Sequence, residues 1–258
     1  MPIHPTAIVD PGAQIADSAE IGPFCVIGAD VQIGTGTRLM AHVYVEGVAS
    51  IGADNLFYPY SSVGVAPQDL KYAGERSETR IGDRNKIREF VTINRGTQGG
   101  GLITRLGDDN LLMAYTHVAH DVQLGSHAVL ANGVTLAGHV LVGDWAVIGA
   151  FTGVHQFCRI GRHSMIGGYS VVTQDVLPFS TTVNPREIKV FGANRTGLER
   201  RGFSSPTIEG LQTALRLLTR AKLNTTHALE RIRAEVPPSA ELDEMIAFLL
   251  ASERGVIK

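Results

Sequence analysis

The chain has 258 residues, a formal net charge of −2 and 44% hydrophobic residues. This length and apolar content allow a sizeable core, and the near-neutral charge gives no general attraction to nucleic acid, so we expect no nucleic-acid partner. The opening residues lack the charged and apolar segments of a signal peptide, and no apolar run reaches the roughly 20 residues that span a bilayer. We therefore expect a cytoplasmic protein without stable membrane insertion, with Cys25 and Cys158 as reduced thiols.

An apolar residue, nearly always aliphatic, recurs at every sixth position through most of the chain. The series occupies twenty-five positions, in residues 9–63, 81–93 and 106–172. A period of six fits neither a helix nor the alternation of a sandwich strand, and it is typical of a parallel β-helix. We predict that each hexad forms one short strand and a corner, so that 18 residues complete one coil.

The repeat is interrupted twice, and we expect inserted loops at about residues 65–80 and 95–105. A solenoid accommodates insertions only as loops that project from one face. The first carries Gln68-Asp69-Leu70-Lys71-Tyr72, and the second carries a glycine-rich run from 96 to 101. Binding residues are common on such loops, although tolerated surface insertions would give the same pattern.

Beyond the last hexad the sequence becomes irregular and then helical. Ser205-Pro206 predicts a helix start with proline at the first helical position, and further helices are expected at about 226–235 and 240–253. We divide the chain into a parallel β-helix domain, residues 1–190, and a C-terminal α-helical domain, residues 191–258. Solenoids need their last coil covered, so capping is the simplest role for the helical domain.

The 18-residue coil predicts which polar residues share a column. His120, Gly138 and Gln156 are separated by 18 residues each and should lie one above another. Three further histidines fall close to this column, His117, His139 and His155. The sequence therefore predicts a histidine-lined edge of the β-helix. A second column contains His127, Trp145 and His163, where ordinary surface packing is expected.

The residues of the first column favour acyl transfer. Asp121 follows His120 and could orient its ring, as the carboxylate does in a Ser-His-Asp triad, leaving an imidazole suited to act as a general base on a hydroxyl. Gly138 offers a backbone N–H one coil away that could polarise the carbonyl under attack. No serine or cysteine in the column suits a nucleophile, so we favour direct transfer without a covalent intermediate.

The chain resembles the acyl-carrier-protein:UDP-N-acetylglucosamine O-acyltransferases, the hexapeptide-repeat acyltransferases that catalyse the first step of lipid A biosynthesis. The resemblance covers essentially the whole length, and its most specific stretches are His4-Pro5-Thr6-Ala7-Ile8-Val9, Gln68-Asp69-Leu70-Lys71-Tyr72-Ala73-Gly74-Glu75, Ala119-His120-Asp121, Leu136-Ala137-Gly138-His139, Val154-His155-Gln156-Phe157-Cys158 and Arg200-Arg201-Gly202-Phe203-Ser204. It implies a left-handed β-helix, and transfer of an (R)-3-hydroxyacyl chain from acyl carrier protein to the glucosamine 3-hydroxyl of UDP-N-acetylglucosamine. It also implies a homotrimer with sites between neighbouring β-helices. No cofactor or metal is implied, because the acyl donor is carried on the phosphopantetheine of acyl carrier protein.

The resemblance also assigns roles to individual positions. His120 would deprotonate the 3-hydroxyl, Asp121 would orient it, and the Gly138 amide would hold the thioester oxyanion. The residues lining the sugar and phosphate site would be Asp69, Lys71, His117 and His139. Those facing the nucleotide would be Gln156, Asn194 and Arg201, and those along the acyl-chain groove His155 and Gly168. The cationic tail contains Arg200, Arg201, Arg216, Arg220 and Lys222. It would suit an acidic acyl carrier protein, although a solvated helix face would have the same composition.

Some positions bear on specificity within that family. Glycine at position 168 leaves room at the floor of the acyl groove, so we expect a long, myristoyl-like donor. Three departures from the family pattern are present: Asn94 replaces a histidine, Thr196 replaces a glutamate that contacts the nucleotide, and Val183-Asn184-Pro185-Arg186 replaces a Gly-Asn-containing stretch. The last two concern uridine and ribose recognition rather than the chemistry at His120.

Two alternatives remain open from sequence. The same chemistry on a 3-amino UDP-sugar would form an amide in place of an ester. A zinc protein of the γ-carbonic-anhydrase type would instead use His117, His120 and His139 as ligands. A purely structural solenoid would not require a histidine-lined edge.

Overall fold

The computed structural model describes residues 3–183 and 189–257. Their strands form three sheets, in which strands three apart along the chain pair in parallel, except for the last two strands of the third sheet. The first sheet contains β1 (Ile8–Val9), β4 (Val26–Ile27), β7 (Tyr44–Val45), β10 (Ser62–Val65), β13 (Thr92–Asn94), β16 (His117–Val118), β19 (Thr135–Leu136), β22 (Gly153–Val154) and β25 (Val171–Val172). The second contains β2 (Gln14–Ile15), β5 (Val31–Ile33), β8 (Val48–Ile51), β11 (Glu78–Ile81), β14 (Ile103–Leu106), β17 (Gln123–Leu124), β20 (Leu141–Val142) and β23 (Arg159–Ile160). The third contains β3 (Glu20–Ile21), β6 (Arg38–Leu39), β9 (Leu56–Phe57), β12 (Lys86–Ile87), β15 (Leu111–Leu112), β18 (Val129–Leu130), β21 (Val147–Ile148), β24 (Met165–Ile166), β26 (Ser180–Val183) and β27 (Lys189–Ala193).

The residues of the six-residue series form the interior of this three-sided prism. All but the first two of the twenty-five predicted positions are buried, and the largest of them, Phe57, is 0% exposed. Successive coils place like residues in register, so that Val118 pairs with Ile93 on one side and Leu136 on the other. Burial of each such side chain contributes about 1.5–3 kcal/mol, which explains why the periodicity determines the fold. The predicted parallel β-helix is confirmed.

The three edges of the prism are formed by the turns between sheets. Corner 1 joins the first sheet to the second and includes residues 119–122, 137–140 and 155–158. Corner 2 joins the second sheet to the third and includes residues 143–146 and 161–164. Corner 3 joins the third sheet to the first and includes residues 149–152 and 167–170. In each of these named turns one residue takes a left-handed conformation, as at Asp121 with φ 61° and His139 with φ 62°.

Both inserted loops leave the prism at corner 1. Residues 66–77 connect β10 to β11, and residues 95–102 connect β13 to β14, so each runs from the first sheet to the second. They are shorter than the sequence suggests because β11 and β14 begin before the hexad residue that ends them. The second loop contains one 3-10 turn, Gln98–Gly100.

The described part of the C-terminal region contains four helices, α1 (Arg195–Arg200), α2 (Ser205–Thr219), α3 (Thr225–Glu235) and α4 (Ala240–Leu250). The last strand ends at Ala193, three residues beyond the boundary expected from sequence, because β27 extends the third sheet by pairing antiparallel with β26. Among the described residues, none of the helices combines the length and apolar character needed to cross a bilayer.

The helix starts follow local capping chemistry. The hydroxyl of Ser204, rather than Ser205, accepts the N–H of Thr207, so Pro206 is the second residue of α2 and not the first as predicted. The six-residue α1 lacks an apolar repeat long enough to be recognised in sequence; Asn194 caps it by accepting the N–H of Gly197.

The chain end is attached to the last coil through Asp175. This carboxylate is 1% exposed and accepts the N–H of Arg159 and the hydroxyl of Ser252, each at 2.8 Å. The Arg159 guanidinium reaches the carbonyl of Ala251 at 3.0 Å and lies over the ring of Phe248. These contacts hold the end of the helical region against the second sheet.

A column of asparagines lies inside corner 2. Asn85 is 0% exposed and donates to Asn55 Oδ1 and to the carbonyl of Gly107, both at 3.0 Å. It also accepts the N–H of Asn110 at 2.9 Å. The asparagines therefore satisfy corner groups that the interior would otherwise leave without partners.

We predict that Asn85→Ala destabilises the protein by about 2–4 kcal/mol, because it leaves more than one buried polar group unpaired. Thermal unfolding should show a clear drop in the midpoint, whereas Ser50→Ala, at an exposed position of the neighbouring strand, should leave it nearly unchanged. Equal midpoints for the two variants would contradict this role of the asparagine column.

Candidate active site

The centre of corner 1 is a histidine held by a carboxylate. His120 Nδ1 lies 2.8 Å from Asp121 Oδ2. The Asp121 side chain is 1% exposed, whereas that of His120 is 14% exposed and reaches the surface. A carboxylate oxygen that accepts a hydrogen bond fixes the proton of a neutral imidazole on Nδ1, which leaves Nε2 as the basic atom. Asp121 therefore has the geometry to orient His120.

Gly138 lies against the His120 ring, one coil further along. A Cβ atom at this position would come within 2.5 Å of His120 Cε1 and 2.7 Å of Nε2. Only glycine leaves the ring its present place, so the backbone of Gly138 is the surface that faces the basic nitrogen. The 18-residue length of one coil predicts that Gly138 lies next to His120, and the structure shows this contact.

Two further histidines flank this pair. The His139 ring meets His120 edge to face, with centroids 5.1 Å apart, and stacks on Phe157 at 4.4 Å. His117 Nδ1 lies 2.7 Å from the hydroxyl of Thr92. Burial lowers the pKa of both His117 and His139, and the neighbouring His120 lowers each further. Both rings are therefore neutral near pH 7 and can exchange hydrogen bonds with a sugar hydroxyl.

The first inserted loop stands beside these rings. Asp69 Oδ1 accepts the N–H of Lys71 at 3.0 Å, which turns the loop and leaves Lys71 exposed. The negative charge of Asp69 also acts to raise the pKa of His139, so the two are near one another. Of the four residues predicted to bind sugar and phosphate, His139 lies at corner 1 and Asp69 and Lys71 lie on its first inserted loop. His117 lies on β16, the strand that leads into this corner.

His155 and Gln156 lie further along the same corner and are exposed. His155 Nδ1 is 3.1 Å from the carbonyl of Gln156 and 3.4 Å from the Arg254 guanidinium. Gly168 lies at corner 3, beside the exposed ring of Tyr169. A Cβ at Gly168 would lie 3.0 Å from the carbonyl oxygen of Ala150. A side chain at this position would therefore be restricted by Ala150 on one side and would extend into solvent on the other.

The remaining predicted residues form a separate cleft. Arg200, Arg201 and Asn194 line a cavity of about 680 Å³ between α1 and the outer face of the third sheet, next to corner 2. The Arg201 guanidinium lies 4.9 Å over the ring of Trp145 and donates to the carbonyl of Gly197. Thr196 stands on the rim. A flat ring beside two cations is a surface suited to a nucleotide.

Packing of the second column differs from the prediction. His127 and Trp145 stack at 3.9 Å, as a surface pair would. His163, however, is only 4% exposed: it stacks between Trp145 and Phe179, and Phe203 meets its edge. The helical region covers this end of the column, and nothing in the hexad pattern indicates that contact. His163 therefore supports the floor of the cleft from within.

Among the three departures from the family pattern, two can be placed. Thr196 is exposed at the cleft, so its short side chain faces whatever enters. Asn94 is 1% exposed and donates to the carbonyl of Ala66 at the base of the first loop. The third, Val183-Asn184-Pro185-Arg186, lies outside the described residues from position 184 onward.

The zinc alternative requires three imidazoles at one point. Among the described residues, the group whose ligand atoms converge, within 4.8 Å, is His120, Asp121 and His139. His117 is engaged with Thr92 instead, and Asp121 Oδ2 already accepts two hydrogen bonds. Within one chain, the described residues therefore do not bring His117 to the point where His120 and His139 meet.

Sequence reasoning missed two residues with contacts at these sites. Thr97, on the second inserted loop, bonds to both oxygens of Asp121. Trp145 was assigned to ordinary packing but forms one wall of the cleft. The sequence did contain a signal that would have placed Thr97 near His120. Both insertions follow strands of the first sheet, as His120 does, so all of them must lie at corner 1. For Trp145 the sequence offers no comparable signal.

Two family profiles match the chain. The profile described as "Bacterial transferase hexapeptide (six repeats)" matches residues 12–47 and 103–138. The profile described as "Udp N-acetylglucosamine O-acyltransferase; Domain 2" matches residues 175–257, which include the helical region. Coils of hexads with a histidine-lined corner thus define a hexapeptide-repeat transferase.

Individual relatives extend over the whole chain. The acyl-[acyl-carrier-protein]–UDP-N-acetylglucosamine O-acyltransferase of Janthinobacterium sp. (strain Marseille) is 51% identical and covers 99% of both sequences. The solved structure of LpxA from Acinetobacter baumannii has a TM-score of 0.96 at 42% identity, and that of LpxA from Moraxella catarrhalis RH4 a TM-score of 0.95 at 44% identity, each covering 100% of both chains. The chain belongs to the acyl-[acyl-carrier-protein]–UDP-N-acetylglucosamine O-acyltransferase family. This confirms the predicted left-handed β-helix with a C-terminal helical region.

We predict that His163 makes the fold sensitive to acid. Burial, reinforced by the charges of Arg201 and Arg162, lowers the pKa of His163 from 6.5 to about 4. The unfolded chain therefore binds this proton more readily, so the stability is fully present above pH 6.5 and decreases as the pH falls towards 4, by up to about 3 kcal/mol. In His163→Phe the fall of the thermal midpoint over this range should be smaller. Parallel curves for the native protein and the variant would refute the assignment.

Proposed function

We propose that the protein transfers an (R)-3-hydroxyacyl chain from acyl carrier protein to the 3-hydroxyl of UDP-N-acetylglucosamine, the first step of lipid A biosynthesis. The observation that carries this proposal is the 2.8 Å contact between His120 Nδ1 and Asp121 Oδ2 beside the backbone of Gly138. It supplies an oriented base and a nearby amide without a covalent nucleophile. The substrates follow from the family to which the chain belongs.

In the proposed mechanism His120 Nε2 removes the proton of the sugar hydroxyl as its oxygen attacks the thioester carbon. The new C–O bond forms, and the carbonyl oxygen gains negative charge, which the N–H of Gly138 stabilises. The C–S bond then breaks, and the thiolate leaves with the proton now held by His120. Asp121 stabilises the charged imidazolium between these two steps.

The neutral imidazoles of His117 and His139 are suited to orient the sugar, because each can donate or accept a hydrogen bond. Lys71 is exposed on the adjacent loop and can reach a phosphate, while Asp69 can accept from a sugar hydroxyl. A bound and aligned acceptor accounts for a large part of the rate, since it removes the entropy cost of bringing two reactants together.

The site also requires more than one copy of the chain. The proposed base lies at corner 1, the cleft with Asn194 and Arg201 lies near corner 2, and Gly168 lies at corner 3. One rigid prism cannot bring its three edges together, so the residues would meet across interfaces between copies. A homotrimer with sites between neighbours is the closed arrangement that fits.

The proposed binding of the acyl donor depends on the cationic tail defined above. Acyl carrier protein would present the chain on phosphopantetheine, in the cytoplasm, and no other cofactor would be needed. The exposed Arg200 and the cations of α2 offer an acidic carrier protein a complementary surface. Arg220 is partly engaged, because it donates to the carbonyl of Phe191 at 2.8 Å.

We predict that His120→Ala lowers kcat for transfer from 3-hydroxymyristoyl carrier protein to UDP-N-acetylglucosamine by about 10²- to 10⁴-fold, the usual contribution of a general base. His227→Ala is the matched control: it removes an exposed histidine of α3, away from corner 1 and the cleft, and should leave kcat unchanged.

Retained activity in His120→Ala would contradict the assigned base. Transfer only to the 3-amino UDP-sugar would keep the mechanism and change the product to an amide. Transfer to neither acceptor, over several acyl chain lengths, would contradict the proposed substrates.

A second prediction concerns the length of the acyl chain. Gly168→Met adds a bulky side chain at an exposed position whose Cβ is confined on one side by Ala150. The ratio of kcat/KM for the fourteen-carbon donor to that for the ten-carbon donor should fall by about tenfold or more, because each excluded methylene costs about 1–3 kcal/mol. Both donors are assayed on the same enzyme, so a general loss of activity cancels. An unchanged ratio would rule out Gly168 as the floor of the groove.

A further inference from the structure

The second inserted loop is tied to the carboxylate that orients His120. Thr97 is 5% exposed, and its backbone N–H donates to Asp121 Oδ1 at 2.9 Å. Its hydroxyl donates to Asp121 Oδ2 at 2.5 Å, the same oxygen that lies 2.8 Å from His120 Nδ1. One residue thus binds both oxygens of the carboxylate, and such a two-point contact fixes its rotation as well as its position.

The loop closes tightly around this contact. The carbonyl of Thr97 accepts the N–H of Gly100 at 3.1 Å and that of Leu102 at 2.9 Å. A Cβ at Gly100 would lie 2.0 Å from Cγ of Asp121, so the loop packs directly on the carboxyl group. The insertion therefore covers Asp121 and separates it from solvent.

The second loop is also bound to the first. The carboxylate of Glu75 accepts the N–H of Gln98 at 3.1 Å, and Arg95 donates to the hydroxyl of Tyr72 at 3.0 Å. Arg95 in turn donates to the carbonyl of Gly64 at 2.9 Å, on the prism itself. The segment on either side of Thr97 is thereby fixed, at Arg95 and at Gln98. The same contacts also fix the first loop, which carries Asp69 and Lys71.

We infer that Thr97 is a positioning residue for the reaction, acting through Asp121 on the tautomer of His120; this rests on the proposed function. With both oxygens fixed, Oδ2 is aimed at Nδ1, so the ring proton stays on Nδ1 and Nε2 stays free to accept the sugar proton. Without the Thr97 hydroxyl, the carboxylate keeps only the backbone N–H contact at Oδ1, so Oδ2 is no longer fixed towards Nδ1. The imidazole then exchanges between tautomers, and one of them has its proton on the atom that must act as the base.

The test compares Thr97→Val, which removes the hydroxyl at nearly constant shape, with Thr97→Ser, which retains it. In Thr97→Val we expect kcat to fall by about 10- to 100-fold, the usual cost of losing a supporting hydrogen bond to a functional group, with KM for UDP-N-acetylglucosamine changed by less than about twofold. Thr97→Ser should restore kcat. Thr79→Val is the matched control, because Thr79 is 1% exposed and its hydroxyl has no hydrogen-bond partner among the described residues, so kcat should not change.

A second measurement does not depend on the substrates. The ¹⁵N resonances of the His120 ring, assigned with His120→Gln and recorded on the unliganded protein at pH 8, report which nitrogen carries the proton. We expect a single Nδ1-protonated form in the native protein and in Thr97→Ser, and a mixture in Thr97→Val. If Thr97→Val does not fold, Thr97→Ala takes its place, with folding checked by the thermal midpoint.

The outcomes separate this inference from the proposed function. An unchanged tautomer in Thr97→Val, or a kcat equal to that of the native protein, would overturn the role of Thr97. A tautomer change in a protein that acylates neither acceptor would support Thr97 and contradict the proposed substrates. Equal losses of kcat in Thr97→Val and Thr97→Ser would show that the loop matters for packing alone, and would also overturn the inference.

Discussion

The register of the stacked coils is the constraint on which the candidate site depends. Three hexads return the chain to the same corner, so whatever follows a strand of the first sheet is placed above whatever followed the previous one. Corner 1 is therefore built from successive passages of the chain: two inserted loops, then His120, then Gly138 with His139, then His155. Buried aliphatic side chains fix this register, and the polar residues only occupy the positions it provides.

Several turns at the corners place a non-glycine residue in the left-handed conformation, which costs conformational free energy, and three of these residues lie at the candidate site. Asp121, His139 and Phe157 all take positive φ, between 61° and 66°, a conformation that disfavours side chains by about 1–2 kcal/mol each. Stacking of the His139 ring on that of Phe157, at 4.4 Å, offsets part of this cost. The same conformation recurs in these three successive coils, so these side chains project in parallel from one edge. A row of rings and one buried carboxylate is the direct result.

Much of this was accessible from the sequence, because a strict period makes spatial neighbours a matter of counting. His120, Gly138 and the histidines around them were placed together by 18-residue steps alone. Counting fails where the chain departs from the period. Thr97 lies on an insertion that shifts the phase, so no step of 18 leads from it to Asp121. His163 is buried by Phe203, which lies beyond the repeat in a region whose docking the hexads do not encode.

The division of residues among the corners has a consequence for how such a site can be assembled. The groups that would carry out the chemistry, His120, Asp121 and Gly138, all lie at one corner of one chain, where covalent connection and coil register hold them against one another. Two further groups suited to binding lie elsewhere, Arg201 beside corner 2 and Gly168 at corner 3. In the proposed homotrimer these two groups would meet the base from another copy of the chain. Proton transfer, which tolerates little displacement, would then stay within a rigid unit, and the interface between copies would need to supply only the binding surface.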